Sequence, residues 1–200
     1  FHTTRKQLGL FDDFKKVGLT AVLGIGSAPG TTNVLTRYAY DRLDKVEAVR
    51  VSSAGVDLTD TKGIDVFKPP YSIITIMEEF QEEAIEFIDG EYKALPALSG
   101  MEEITYPEPI GRCVCFHTLH SEPATIPDSF KDKGVREVTW KLGLPPEFVE
   151  RAKFLASVGF GDTKPIKVRG MEVVPREVMA AVVAKQVSDK LERVEIKSNI

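Results

Sequence analysis

Two hundred residues, 42% of them hydrophobic and 28% charged, suit one globular domain able to bury a core. A net charge of −4 offers no basic patch to nucleic acid or an anionic membrane, and no apolar run approaches the roughly 18 residues of a membrane span. Two cysteines are too few for a disulfide framework and fit a reducing cytoplasm.

The chain opens Phe1-His2-Thr3-Thr4 without an initiator Met and stops at Ser198-Asn199-Ile200 after a charged helix, Lys185 to Lys197, so it reads as a piece of a longer polypeptide. Phe11 to Val17 forms a short amphipathic helix closed by Gly18. Thr20 to Ile25 reads as a buried strand, followed by a glycine turn and a helix from Thr31 to Asp44 with Leu35, Ala39 and Leu43 on one stripe. Val46 to Ser53 is a strand and Ser72 to Phe80 a helix. Ala84 to Ile88 and Glu91 to Leu95 flank Asp89-Gly90, a strong hairpin pattern. Ile110 to Leu119 and Val135 to Leu142 are further strands. Pro145-Pro146 opens a helix through Phe148, Val149, Ala152, Leu155 and Ala156, stopped at Gly159. Pro175 opens the last helix, with Val178, Met179, Val182 and Val183 as its buried stripe. The order predicts an α/β (α+β) fold, a mostly antiparallel mixed sheet with helices on one face.

The stretch Leu23-Gly24-Ile25-Gly26-Ser27-Ala28-Pro29-Gly30-Thr31-Thr32-Asn33 is the richest in chemistry. A strand that empties into a polar helix start gathers unpaired N–H groups and the positive end of the helix dipole, an anion-binding arrangement. Two readings compete. Gly24, Gly26 and Gly30 spell G-x-G-x-x-x-G, close to a dinucleotide fingerprint. Against it, Pro29 pushes the helix start to Gly30 or later, and the acid expected about 20 residues on is replaced by Arg50 and Ser52. The other reading is a substrate-binding turn in an enzyme whose dinucleotide fold lies elsewhere.

Cys113, Cys115 and His117 share one face of a strand, but successive members stand about 7 Å apart and the outer two about 13 Å. Zinc ligands must converge to about 2.0–2.3 Å from the ion, so no metal site is expected and core cysteines are the reading. His117 and His120, where that strand meets a Pro-rich loop, are candidate proton carriers.

Gly18 to Gly24 followed by Ala28-Pro29-Gly30-Thr31-Thr32-Asn33-Val34-Leu35 resembles the "AGvT…G…PG(I/T)(S/T)N" segment of the saccharopine dehydrogenase-like oxidoreductases. Three later stretches strengthen the likeness. Val66 to Ser72 with Met77-Glu78-Glu79-Phe80 resembles the family's "SP…i.EY" element, Glu108-Pro109-Ile110-Gly111 with Thr118 its "PvG…t" strand, and Val138 to Pro145 its "tlRy.gfP" turn. Ala28-Pro29-Gly30 with Asn33 is closer to lysine 6-dehydrogenase-like members than to fungal saccharopine reductase, which carries an Asp before its Pro-Gly.

The resemblance implies that residues 1–200 are the central substrate-binding and dimerisation domain, like the C-terminal domain of two-domain dehydrogenases. Residues 1–30 would hold the last βα element linking it to a Rossmann domain that precedes Phe1. It implies hydride transfer between the amine-bearing carbon of a saccharopine- or lysine-like amino acid and NAD or NADP, bound mainly by the missing domain. A cytoplasmic homodimer is implied too, with the fragment alone inactive. The implied substrate contacts are Thr31, Thr32, Asn33, Arg37, Tyr71, Glu78 and Lys141; Gly26, Pro29 and Gly30 would meet the cofactor edge, and His117 and His120 would carry protons.

Plain structural readings stand beside these. Thr31 to Asn33 are ordinary N-capping types, Arg37 lies one turn from Asp41, and Glu78 and Glu79 suit an acidic helix surface. Lys141 stands where the family usually has Arg, a point charge in place of a bidentate fork. If it serves the same purpose, it should pair with a substrate carboxylate and not with a neighbouring acid. Two other functions stay open: a non-catalytic dimerisation or binding module, and a self-contained NADP-binding domain built on Gly24, Gly26 and Gly30.

Overall fold

A computed structural model describes residues 1–60 and 63–198, with side chains through Leu191. In chain order it contains α1 (His2–Leu8), α2 (Phe11–Lys16), α3 (Thr31–Tyr40), β1 (Ala48–Ala54), α4 (Ile73–Gln81), β2 (Ala84–Ile88), β3 (Glu91–Leu95), β4 (Glu102–Thr105), β5 (Arg112–His117), α5 (Glu122–Ser129), β6 (Glu137–Gly143), α6 (Pro146–Ser157), β7 (Ile166–Val168), β8 (Met171–Val173) and α7 (Pro175–Ser198). The architecture is mixed α/β with antiparallel pairing, as the sequence predicts. The chain forms two compact units. Phe1–Ser53, Glu82–Glu102 and Cys115–Leu142 make the first; Ala54–Gln81, Glu103–Val114 and Gly143–Ile200 make the second.

In the first unit the strand order is β3-β2-β6-β5, with β1 also paired to β6. The Asp89-Gly90 hairpin forms as expected, with Ala84 opposite Leu95 and Ile88 opposite Glu91. β2 also runs antiparallel to β6 through Phe87 and Val138. The core gathers Tyr40, Val46, Ile126, Phe130, Val135 and Val138, with Val49, Val51 and Phe87 packed against it. The Tyr40 hydroxyl donates to Asp132 at 2.6 Å and accepts the Lys133 N–H at 2.9 Å, so the one polar atom on that ring is satisfied.

Three expectations fail here. The strand at Thr20 to Ile25 does not form: Val22 and Ile25 are 71% and 80% exposed, and the pairing seen beside it among the described residues is a bridge between Gly26 and Gly30. An apolar run becomes a strand when a neighbour takes its backbone groups, and no strand of this unit does so. The next helix stops at Tyr40 rather than Asp44, with Leu35 and Leu43 exposed. Its inward contacts are Thr32, Asn33 and Tyr40. Along the strand through His117, Val114 is 45% exposed while Cys115 and Phe116 are buried. What reads as a Pro-rich loop after it is the helix α5, with Pro123 in its first turn, where a missing N–H costs nothing.

In the second unit α4 buries Ile73, Ile76, Met77 and Phe80 and packs on α6 and α7. α6 contributes Phe148 and Ala152, and the Phe148 ring stacks on Phe67 at 4.9 Å. From α7 Met179 is buried, whereas Val178 and Val182 of the same predicted stripe are 41% and 61% exposed. An apolar stripe names the face a helix can bury; the neighbouring helix decides how much of it is covered. β4 lies beside β5, closed by Tyr106 N–H donating to the Gly111 carbonyl at 2.8 Å, and β7 and β8 make a second small hairpin. The helix expected over Lys185 to Lys197 is present in the backbone; its side chains past Leu191, and Asn199-Ile200, lie outside the described residues. Among the described residues no helix is long and apolar enough to cross a membrane.

Candidate active site

β5 ends at His117, and a short connection through His120 leads into α5, which opens at Glu122, all within the first unit. The His117 Nδ1 lies 2.9 Å from Glu86 Oε1 and 3.1 Å from the Trp140 carbonyl oxygen. Glu86 comes from β2 and is fully buried; its other oxygen accepts the Trp140 N–H at 3.0 Å. His120 hydrogen-bonds through Nδ1 to Glu122, which is also fully buried, and its ring stacks on the Trp140 indole with centroids 3.7 Å apart and planes within 9°. Trp140 in turn donates from Nε1 to the Thr118 hydroxyl at 3.0 Å. The second Glu122 oxygen accepts the Thr32 hydroxyl at 2.6 Å. Two half-buried imidazoles thus rest on two buried carboxylates, and Trp140 meets both, His117 through its backbone carbonyl and His120 through its indole.

Burial pushes the Glu86 carboxyl above its ordinary value of 4.5, and the hydrogen bonds from His117 and Trp140 offset this only in part. The folded chain therefore holds this proton at pH values where the unfolded chain has released it. Its contribution to stability is complete below the unfolded value and is lost as pH rises through the raised folded one. Glu86→Gln should flatten the corresponding fall in urea midpoint between those two values. Equal pH slopes in both proteins would assign the effect to another group.

The glycine turn is built, but it is closed on itself. The Thr31 N–H donates to the Gly26 carbonyl at 2.9 Å, Thr32 N–H to Ser27 at 3.2 Å, and Gly30 N–H to the Asn33 side chain at 3.0 Å. These are the donors a pyrophosphate would need, so Gly26, Pro29 and Gly30 do not fit a dinucleotide cradle. Asn33 spends its amide N–H on Thr125 at 3.2 Å, and Thr32 is aimed at Glu122. The Thr31 hydroxyl faces the Gly26 carbonyl at 3.5 Å. A cavity of about 620 Å³ borders this turn, lined by Gly24, Gly26, Thr31, Asn33, Ser121 and Thr125 among others.

The remaining candidates are spread out. Arg37 pairs with Asp41 at 2.9 Å on an exposed helix face, the plain reading. Lys141 pairs with Glu102 at 2.7 Å, so the expectation that it has no neighbouring acid is not met: β6 and the start of β4 bring the two together. Tyr71 and Glu78 belong to the second unit. There the Tyr71 hydroxyl donates to the buried Glu79, and burial together with that carboxylate pushes the phenol well above its usual range. Glu78 holds Arg176 at 2.8 Å, while the same guanidinium donates to the Gly161 carbonyl at 2.7 Å.

No family profile matches the chain. It is 24% identical over 172 residues to the carboxynorspermidine synthase of Vibrio cholerae, covering 85% of this chain and 40% of that protein. It is 23% identical over 178 residues to the carboxyaminopropylagmatine dehydrogenase of Synechocystis, covering 88% and 43%. Its fold matches an apo saccharopine dehydrogenase (L-Glu forming) from Saccharomyces cerevisiae with a TM-score of 0.50 at 17% identity, over 69% of this chain and 34% of that one. The likeness is to saccharopine dehydrogenase-like proteins.

The chain spans about two-fifths of the length of the curated relatives it matches, 40% and 43%. Its sequence pointed to His117 and His120 but not to Glu86, Glu122, Trp140 or Thr118. Glu86 sits in an apolar strand, Ala84-Ile85-Glu86-Phe87-Ile88, and an acid on the buried face of such a strand is the signal that could have found it. Glu122 carries the same signal only once α5 is known to be a helix.

Proposed function

We propose that these residues are the substrate-handling part of an NAD(P)-dependent oxidoreductase acting on the CH–NH group of a carboxylated amine, of the saccharopine or lysine type. The names of the relatives support this reading: two are dehydrogenases, and carboxynorspermidine, carboxyaminopropylagmatine and saccharopine all join an amine to a carboxylate. NAD or NADP would supply or accept the hydride, held by parts of the polypeptide outside residues 1–200. Reduction of a C=N bond places that hydride on carbon and a proton on nitrogen; oxidation removes both, and water then releases the amine. The protein must move that proton and shed water from the reacting carbon.

The observation that carries the proposal is the pair His117 and His120, half-buried at one strand end and each backed by a fully buried carboxylate. A surface histidine needs no such support, and a purely packed one has no use for a buried acidic partner. The self-contained dinucleotide alternative has lost its donors to the closed glycine turn. The test is His117→Gln and His120→Gln in the full-length protein, assayed with carboxylated polyamines and with saccharopine. A drop of about 10²–10⁴-fold in kcat for at least one variant is expected. Unchanged turnover in both would remove the histidines from the chemistry.

A further inference from the structure

We propose that Glu86 and Glu122 are positioning residues that lock both imidazoles in the Nδ1–H tautomer, so that the lone pair able to take a proton is on Nε2 of each ring. The inference rests on the proposed role of these histidines in proton transfer and adds which nitrogen performs it.

For His117 the argument is a count of lone pairs. Its Nδ1 faces a carboxylate oxygen at 2.9 Å and a backbone carbonyl oxygen at 3.1 Å. A carbonyl oxygen has no proton to give, so the hydrogen of this contact belongs to Nδ1. Glu86 cannot swing away, because its second oxygen is tied to the N–H of the same Trp140 whose carbonyl completes the cradle. The ring is also fixed from its other edge. Gly100 has φ +59°, and a Cβ there would stand 2.5 Å from His117 Cδ2 and 2.8 Å from Nε2. The loop can pass this close only as glycine. It is zipped to the strand end by Leu98 N–H to the His117 carbonyl and His117 N–H to the Ser99 carbonyl, both 2.9 Å.

For His120 the carboxylate is steadied from α3. Glu122 accepts Thr32 Oγ1–H on one oxygen and presents the other to the imidazole Nδ1; a carboxylate oxygen offers lone pairs, so the hydrogen of this contact is assigned to Nδ1. The stack on Trp140 then sets the ring plane, and Trp140 is itself held by Thr118. One residue thus serves both arms: the Trp140 backbone closes the Glu86–His117 cradle, and its indole is the plate beneath His120. Thr32, singled out in the sequence as a substrate contact, acts one step back, on the carboxylate that orients the base.

Nitrogen-15 NMR of histidine-labelled full-length protein, at a pH above the ordinary imidazole range, reads the tautomer directly. Both rings should show a protonated Nδ1, and an unprotonated Nδ1 in either would overturn the assignment for that ring. Glu122→Ala should release His120 into mixed tautomers and lower kcat at least about tenfold with little change in KM. Glu122→Gln keeps an acceptor and should restore the tautomer and most of the turnover. Thr32→Val should disturb His120 and leave His117 as it was; because it removes no carboxylate, it also serves if Glu122→Ala does not fold. An unmoved His120 tautomer in both Glu122→Ala and Thr32→Val would refute the positioning role. The two readings fail separately. Nδ1–H rings with full turnover in His117→Gln and His120→Gln would sink the proton-transfer role alone, whereas Nε2–H rings with crippled turnover would sink the positioning alone.

Discussion

Trp140→Ala should cost the first unit about 3–5 kcal/mol, the range for deleting a large aromatic side chain from a packed interior. The ring is 2% exposed, so little of its surface would be regained by water at first, and a cavity would open between His120 and Thr118. The Thr118 hydroxyl, 1% exposed, would also lose its donor. Set against the roughly 5–15 kcal/mol that holds an ordinary domain together, the loss is large. Trp140→Phe separates the two parts of it. A phenyl ring keeps much of the stack but has no N–H, so its cost should fall to about 1–3 kcal/mol, the penalty for an orphaned buried polar group. Because this is the only tryptophan in the chain, unfolding in urea has to be followed by circular dichroism. An unchanged midpoint for Trp140→Ala would show that the indole orients His120 without supporting the fold.

Gly30→Ala is expected to be the most damaging single-methyl change in the chain. At φ +138° the position lies where L side chains rarely go, and the added Cβ would stand 2.1 Å from the Gly26 oxygen, 2.6 Å from the Gly26 nitrogen and 2.8 Å from the Gly24 oxygen. All three are backbone atoms, so no rotamer change relieves the clash and the turn itself must open. Opening it releases the Gly26 to Pro29 and Thr31 to Gly26 hydrogen bonds and shifts the start of α3, where Thr32 reaches Glu122. A loss of about 2–4 kcal/mol follows, more than the left-handed conformation alone would cost. Gly18→Ala is the control: φ is +69°, but nothing lies within 4 Å of the new methyl, so only backbone strain remains. Equal midpoints for the two variants would mean that the turn is softer than its geometry.

The legible parts of the sequence were those in which local chemistry decides. Asp89-Gly90 between two alternating runs could hardly be anything but a hairpin, and the prolines at 146 and 175 open helices because their fixed φ and missing N–H suit a first turn. Thr20 to Ile25 misled for the opposite reason: its apolarity was read as burial, and burial depends on a partner that the run does not name. The glycine turn misled more subtly. Its residues are those of an anion site, but whether their N–H groups are free is a matter of where Gly26 and Ser27 point their carbonyls.

By itself the sequence determined the α/β order, the hairpin, the helix starts, the family likeness and the two histidines at a strand end. Only the tertiary structure decided what stands behind those histidines. Glu86 and His117 are 31 residues apart, Trp140 and Glu86 are 54 apart, and Thr32 and Glu122 are 90 apart. No local propensity encodes contacts of that range. They arise because pairing β2 with β6 sets Glu86 against the backbone of Trp140, and because packing α3 on α5 sets Thr32 against Glu122. A carboxylate buried without such partners would cost several kcal/mol, so the same packing that hides the two acids also dictates which imidazole nitrogen each one holds.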